Sequence, residues 1–335
     1  MQIRSLITDS SKGRGRRKLA GAAVLASALM LSAAPMASAT PTTTGGEIES
    51  ITISQQKAEA AVDYWTADRM KAAKNADSLV AGKSGSAAKV EIGKPAKVSG
   101  HGADVAAGKQ TQKKGSKTRA TQETPVSHIG KVFFTLGGSD YVCSGNAVVS
   151  ANESTVSTAG HCLNEGPGAF ATRWVFVPAY ENGNAPYGSF AATELVAPTE
   201  WSNGGDISYD TGFAVVSTSG GSTLTDAVGA SGVAFNQARG EQYTAYGYPA
   251  ASPFNGETLQ SCTGYASDDP FGQSQSQGIP CNMTGGSSGG PWFLGSGSDG
   301  YQNSVNSFGY SSVRDTMFGP YWGSVIQQAY QNAQN

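Results

Sequence analysis

The chain has 335 residues, 39% of them hydrophobic and 14% charged, with a formal net charge of −2; that length admits one domain of roughly 200 residues plus processing segments. The charge is unevenly spread, with 13 basic against 9 acidic side chains in residues 40–124 and four basic residues (Lys131, Arg173, Arg239, Arg314) against 15 acidic ones in residues 126–335. An acidic domain of that kind excludes nucleic acid as a partner, because phosphate contacts need Lys and Arg; three histidines without a Cys-x-x-Cys pair exclude a structural zinc centre.

Residues 12–18 read Lys-Gly-Arg-Gly-Arg-Arg-Lys, an apolar run follows over 19–36, and Ala37-Ser38-Ala39 closes it. A basic stretch, an apolar stretch and a small-residue cleavage site in that order predict a signal peptide over residues 1–39, hence a secreted protein that leaves the membrane once cut. A transmembrane anchor is the competing reading, but the apolar run is short, Ala-rich and interrupted by Pro35. Whether export uses the general or the twin-arginine route stays open. An oxidising compartment favours pairing of Cys143, Cys162, Cys262 and Cys281, for which three connectivities exist.

Between residues 54 and 80, Ala58, Ala61, Val62, Trp65, Met70 and Ala73 recur at helical spacing and predict one amphipathic helix. Residues 81–124 are rich in Gly, Ser, Ala, Lys and Thr, which predicts a flexible linker whose basic stretches are open to processing. Residues 40–124 therefore read as a pro-region, and the mature domain as residues 125–335. There, short apolar runs at 131–136, 146–149, 172–177, 211–216, 242–246 and 304–310, bounded by turn residues, predict an all-β sandwich or barrel; only 321–331 reads as a helix.

The run Gly285-Gly286-Ser287-Ser288-Gly289-Gly290-Pro291 is dense enough in glycine to present a serine hydroxyl while backbone N–H groups point at one spot. In acyl transfer that spot holds a negatively charged oxygen, with the Gly286 and Ser288 amides as its donors. A serine nucleophile needs a base, and past residue 128 the only histidine is His161, in Thr158-Ala159-Gly160-His161-Cys162. The imidazole in turn needs a carboxylate on its far nitrogen. Asp210, at the mouth of the apolar strand Phe213-Ala214-Val215-Val216 with small residues after it, is the preferred acid, and Asp206 the alternative.

These three motifs, in this order, resemble the chymotrypsin/trypsin-type serine peptidases, and among them the secreted bacterial trypsin-like and glutamyl endopeptidase-like enzymes. The resemblance covers about residues 126–335. It implies two six-stranded antiparallel β-barrels with a catalytic cleft between them, Ser288 as nucleophile, His161 as general base and acid, Asp210 as orienting carboxylate, and no cofactor or metal. It also implies a Cys143–Cys162 disulfide and, with it, Cys262–Cys281. The expected partners are protein or peptide substrates and the chain's own pro-region, with the enzyme a monomer.

Two positions depart from the family. Ser287 stands where the digestive enzymes carry the aspartate that receives the new N-terminus, so activation must differ; the pro-region as folding helper or steric cover is the expectation. Asn282 stands where trypsin-like specificity has an aspartate, and Asn306, ahead of Ser307, Phe308 and Gly309, stands where glutamyl specificity has a histidine. These five residues are the predicted substrate pocket, with neither charged preference supported. An α/β-hydrolase is excluded because no histidine follows Ser288. A peptidase-like binding module without activity is the remaining alternative.

Overall fold

The computed structural model describes residues 47–86, 89–101 and 117–335; the predicted signal peptide lies outside them. The N-terminal part contains β1 (Ile48–Thr52), α1 (Gln55–Tyr64), α2 (Ala67–Ala72), β2 (Lys74–Asn75) and α3 (Asp77–Val80). The single helix expected over 54–80 is thus three short ones. The first break follows from Trp65, which leaves the helix to bury its ring, 4% exposed, and to donate from Nε1 to the Arg173 carbonyl. Thr66 then starts α2 as an N-cap, its side chain accepting from the Arg69 amide.

The linker expected over 81–124 is also partly structured, with β3 at Ala96–Val98 and β4 at Lys117–Gln122. Both add to the edges of a sheet in the C-terminal half. Edge addition satisfies backbone N–H and C=O groups and so requires little apolar sequence, which is why composition misses it.

Residues 129–216 form a closed antiparallel barrel from β5 (Ile129–Leu136), β6 (Ser139–Val148), β7 (Thr155–Thr158), β8 (Thr172–Pro178), β9 (Phe190–Pro198) and β10 (Gly212–Val216). The strands pair in the order β9-β10-β7-β6-β5-β8, and β8 closes back on β9. Phe134, Trp174, Phe176, Phe190, Leu195 and Phe213 fill its interior. Along β5 even Lys131 is buried; Glu257 lies 3.8 Å from its ammonium and the Tyr180 ring 4.2 Å, and desolvation pulls its pKa down to about 8.

After α4 (Thr199–Ser202) and α5 (Leu224–Val228), the second half is built from β11 (Gly232–Phe235), β12 (Gln242–Gly247), β13 (Gln260–Tyr265), β14 (Ser267–Asp268), β15 (Gln277–Pro280), β16 (Pro291–Leu294), β17 (Tyr301–Val305) and β18 (Thr316–Gly319). Its larger sheet runs β3-β11-β17-β16-β12-β13-β4, beside the small sheet β14-β15-β18. Within these two sheets every strand pairing among the described residues is antiparallel except the short β11–β17 contact. A disulfide from Cys262 on β13 to Cys281 after β15 ties the two sheets together. The strand expected over 304–310 ends at Val305, and the next residues leave the sheet toward the cleft.

The C-terminal helix α6 (Ser324–Ala333) returns to the first barrel. Tyr330 donates to the Val149 carbonyl at 2.6 Å, and Trp322 stacks on Phe235 at 5.5 Å. A buried polar network also joins the halves. His128 Nδ1 meets Asn146 Oδ1 at 2.8 Å, while Asn146 Nδ2 donates to Ser231 Oγ and Gln302 Oε1, and Ser157 Oγ donates to the same Gln302 oxygen. Every member is paired, so the network orients the halves without leaving an orphaned group.

Candidate active site

His161 lies in a 3-10 turn, Gly160–Cys162, between β7 and β8 of the first barrel. Neighbours lock that turn: Cys162 is bonded to Cys143 on β6, and its carbonyl accepts from Trp174 Nε1 at 3.0 Å. Asp210 follows a second 3-10 turn, Ile207–Tyr209, just before β10. Its carboxylate takes two bonds from one residue, since Oδ1 accepts the His161 backbone amide at 2.8 Å and Oδ2 lies 2.7 Å from His161 Nδ1. Ser307 Oγ donates to the same Oδ2. Both His161 and Asp210 are fully buried. The other acid, Asp206, is spent locally as the cap of the 3-10 turn, with Oδ1 accepting from the Ser208 amide at 2.8 Å.

With Nδ1 held by a carboxylate, the remaining ring nitrogen is the acceptor of the neutral imidazole. His161 Nε2 is buried and has no hydrogen-bond partner among the described residues, the Ser288 hydroxyl included. Ser288 nevertheless sits close by, because its carbonyl accepts from the Ser144 amide at 2.7 Å and lies 3.8 Å from Cys162 Sγ.

The loop carrying Ser288 is fixed through its backbone. The Gly285 carbonyl accepts from the Ala250 amide at 2.6 Å, and the Gly286 carbonyl from Ser144 Oγ at 2.9 Å. In a trans peptide C=O and N–H point in opposite directions, so the Gly286 N–H is turned away from Ala250. Gly286 adopts φ +95°, and a Cβ there would stand 2.7 Å from the Ala250 Cβ. Only glycine fits this conformation and this space. Ser287 is occupied elsewhere, its hydroxyl donating to the Thr284 carbonyl at 2.8 Å.

The five expected pocket residues are not alike. Asn306 is fully buried with every polar atom engaged: Nδ2 donates to the Tyr246 and Ser287 carbonyls, and Oδ1 accepts from Trp292 Nε1. It braces the Ser288 loop from behind through these bonds. Ser307 likewise turns to Asp210. Phe308 joins Trp201, Phe318, Tyr310 and Val313 in a largely aromatic hydrophobic cluster, with the Trp201 ring 6.4 Å from that of His161. Gly309, next along, is exposed. Asn282 Oδ1 accepts from the Ala120 amide of β4 at 2.6 Å, so the segment preceding the first barrel contacts the expected floor of the pocket. The bracing roles of Ser144 and Asn306 carry no signal in the sequence, because serine and asparagine are common residues whose duty is set by tertiary position.

Among the described residues, the group of possible metal donors is Cys143, His161 and Cys162, with ligand atoms within 4.8 Å of one another. The two sulfurs are bonded to each other, so the group offers no thiolate, and His161 Nδ1 is taken by Asp210. These donors do not fit a metal ion.

No family model matches the chain. An extracellular metalloprotease of Bacillus subtilis is 31% identical over 86 residues, which is 26% of this chain and 26% of that protein; the chain thus spans about a quarter of that curated relative. Solved structures cover more. The protease Anisep of Arthrobacter nicotinovorans is 66% identical, with TM-score 0.63, covering 64% of this chain and 99% of its own. A thermostable serine protease, AL20, from an extremophilic microorganism is 58% identical with TM-score 0.60, covering 62% and 97%. A Glu endopeptidase, 19% identical with TM-score 0.50 over 64% of this chain and 96% of its own, shares the fold. With nearly the whole length of two bacterial proteases matched at this identity, and a closed six-stranded barrel followed by a second β-sheet half in place, the chain belongs to the bacterial serine proteases of the trypsin/chymotrypsin fold.

Proposed function

We propose that the chain is a secreted serine endopeptidase in which Ser288 is the nucleophile, His161 the general base and acid, and Asp210 the orienting carboxylate. The observation that carries this reading is the double engagement of Asp210 with His161, which leaves a buried, unpartnered Nε2 beside the Ser288 loop. As the Ser288 hydroxyl attacks a peptide carbonyl carbon, its proton passes to Nε2, and the imidazolium is stabilised by Asp210. The carbonyl oxygen becomes an oxyanion facing the Gly286 and Ser288 N–H groups. His161 then returns the proton to the amine nitrogen as the C–N bond breaks, leaving an ester on Ser288. Water, activated by the same nitrogen, hydrolyses it.

The organisation proposed is a signal peptide over residues 1–39, a pro-region over 40–124 and the peptidase domain over 125–335. The share of this chain that the bacterial proteases match, 62–64%, equals the share which that domain occupies. The enzyme acts outside the cell, as a monomer, on protein or peptide substrates. No observation favours the inactive binding module.

A fluorophosphonate probe, which phosphonylates an activated serine, tests the assignment. The processed wild type and Ser287→Ala label, and Ser288→Ala does not. Labelling retained in Ser288→Ala, or absent from the processed wild type, rejects it.

A further inference from the structure

Residues 74–86, which belong to the proposed pro-region, lie across the candidate active site. β2 runs beside β6 at Tyr141 and Val142, next to the disulfide-bonded Cys143. Ala76 is fully buried in the core of the first barrel. The Asp77 carboxyl then lies directly on Gly285, so close that a Cβ on that glycine would collide with both of its oxygens. Residue 77 keeps an exposed face, but burial of its carboxyl raises the pKa, while the neighbouring His161 ring and a hydrogen bond from the Gly285 backbone act in the opposite direction.

The contacts continue on the far side. Val80 packs on the cluster containing Trp201, Phe308 and Phe318. Lys83 Nζ donates to the Glu165 and Gly166 carbonyls and sits 5.7 Å from the Trp201 ring. The Ser84 carbonyl accepts from the Ile207 amide at 3.3 Å, two residues from the Asp210 turn's end. His161 is fully buried and Ser288 only 4% exposed beneath this cover.

We infer that residues 74–86 are an inhibitory plug, which closes the cleft of the uncut chain by placing the Asp77 carboxyl against the Gly285–Ser288 loop, Val80 on the aromatic cluster beside His161, and Lys83 on the Glu165–Gly166 carbonyls. The inference rests on the assignment of His161, Asp210 and Ser288 made above. A serine protease requires a peptide carbonyl delivered in near-attack geometry to the serine and the oxyanion donors. Here the segment over the loop is a helical turn. The Ala76 carbonyl is engaged by the Leu79 amide at 2.9 Å, and the Val80 carbonyl by the Lys83 amide at 3.0 Å. A carboxylate side chain occupies the approach to the loop in place of an extended peptide, so the plug blocks without being cut.

Two strands hold the plug from either end. β1 pairs with β9 over five residues, and β3 pairs with β11. One anchor is therefore on each half of the molecule, and both are covalently continuous with the plug. Tethering of this kind keeps the local concentration of the inhibitory turn high without strong individual contacts.

The test follows fluorophosphonate labelling of two bands in one preparation: the uncut chain, and the processed chain freed of its N-terminal fragment by size-exclusion chromatography. The uncut chain is expected to react at least ~100-fold more slowly than the freed enzyme, and Asp77→Ala with Val80→Ser and Lys83→Ala to raise the uncut rate at least ~10-fold. The freed enzyme, which no longer contains those positions, keeps the wild-type rate. If the triple variant does not fold, Lys83→Ala alone, at a half-exposed position, supplies the comparison. An uncut wild-type chain that labels as fast as the freed enzyme overturns the plug while leaving the Ser288 assignment intact. Absence of labelling in both bands overturns that assignment, and the plug with it.

Discussion

The turn bearing His161 and the loop bearing Ser288 are immobilised by different means. Around His161 the holding groups are side chains: the Asp210 carboxylate, the Trp174 indole and the Cys143–Cys162 disulfide. Around Ser288 what is held is the backbone of the loop itself. Four successive carbonyls, from Gly285 to Ser288, accept bonds from the Ala250 amide, Ser144 Oγ, Asn306 Nδ2 and the Ser144 amide. A site fixed by side chains tolerates backbone change and fails on loss of one functional group. A site fixed by its backbone fails when φ or ψ is altered, even if every functional group is kept.

Asp210→Asn is the sharper probe of the first kind. The amide is nearly isosteric, so the fold is retained, but it can donate to Nδ1 and so favour the wrong tautomer. A loss of about 10⁴-fold in kcat near neutral pH is expected, with a melting temperature close to wild type. Retention of more than a tenth of the activity would remove Asp210 from the proposed mechanism. Gly286→Ala probes the second kind, because it adds one methyl group and takes away no hydrogen-bonding atom. At φ +95°, with the Ala250 Cβ 2.7 Å away, the methyl forces the peptide to rotate and misdirects its N–H. The expected cost is about 10²–10³-fold in kcat, measured on a small ester substrate, with KM changed far less. Equal losses in kcat and KM would mean that the loop had collapsed as a whole.

This contrast explains what the sequence disclosed. His161, Asp210 and Ser288 stand out because chemistry restricts each to one or a few residue types, and the glycines around Ser288 stand out because the backbone demands them. The barrel strands were legible for a similar reason, since a closed barrel must bury apolar faces such as those of Phe134, Phe176 and Phe213. Ser144 and Asn306 brace the loop through bonds that any suitably placed hydroxyl or amide could make, so composition is silent about them. The strands at 48–52 and 96–98 leave no signal because they dock by backbone pairing, and the one helix expected over 54–80 breaks at Trp65, which fills a space on another element. Neither event leaves a periodic pattern. The Asp77 carboxyl against Gly285 leaves no signal for the same reason: its position depends on β2 pairing with β6.

The smallest expected effect separates two buried histidines, His161 and His128. His161 is held by a carboxylate, whereas His128 is 4% exposed and held by a neutral amide, Asn146 Oδ1 at 2.8 Å. Burial pushes the His128 pKa down, and the Asn146 bond and the charge of Asp299 offset this only in part. The unfolded chain titrates near 6.5, so below that pH it binds a proton that the folded protein does not. Proton uptake is then larger in the unfolded state, and stability is present above about pH 6.5 and falls as the pH drops through it, by at most about 1.4 kcal/mol per pH unit from this residue. His128→Gln, carried in a Ser288→Ala background to prevent self-digestion, keeps a donor for Asn146 and removes the titration. Thermal unfolding between pH 7.5 and 5 should therefore be less acid-sensitive in His128→Gln than in its parent, the gap opening only below about pH 6.5. Parallel curves across that range would show that His128 carries its proton equally well in both states, and that the network joining the two barrels accommodates a charge.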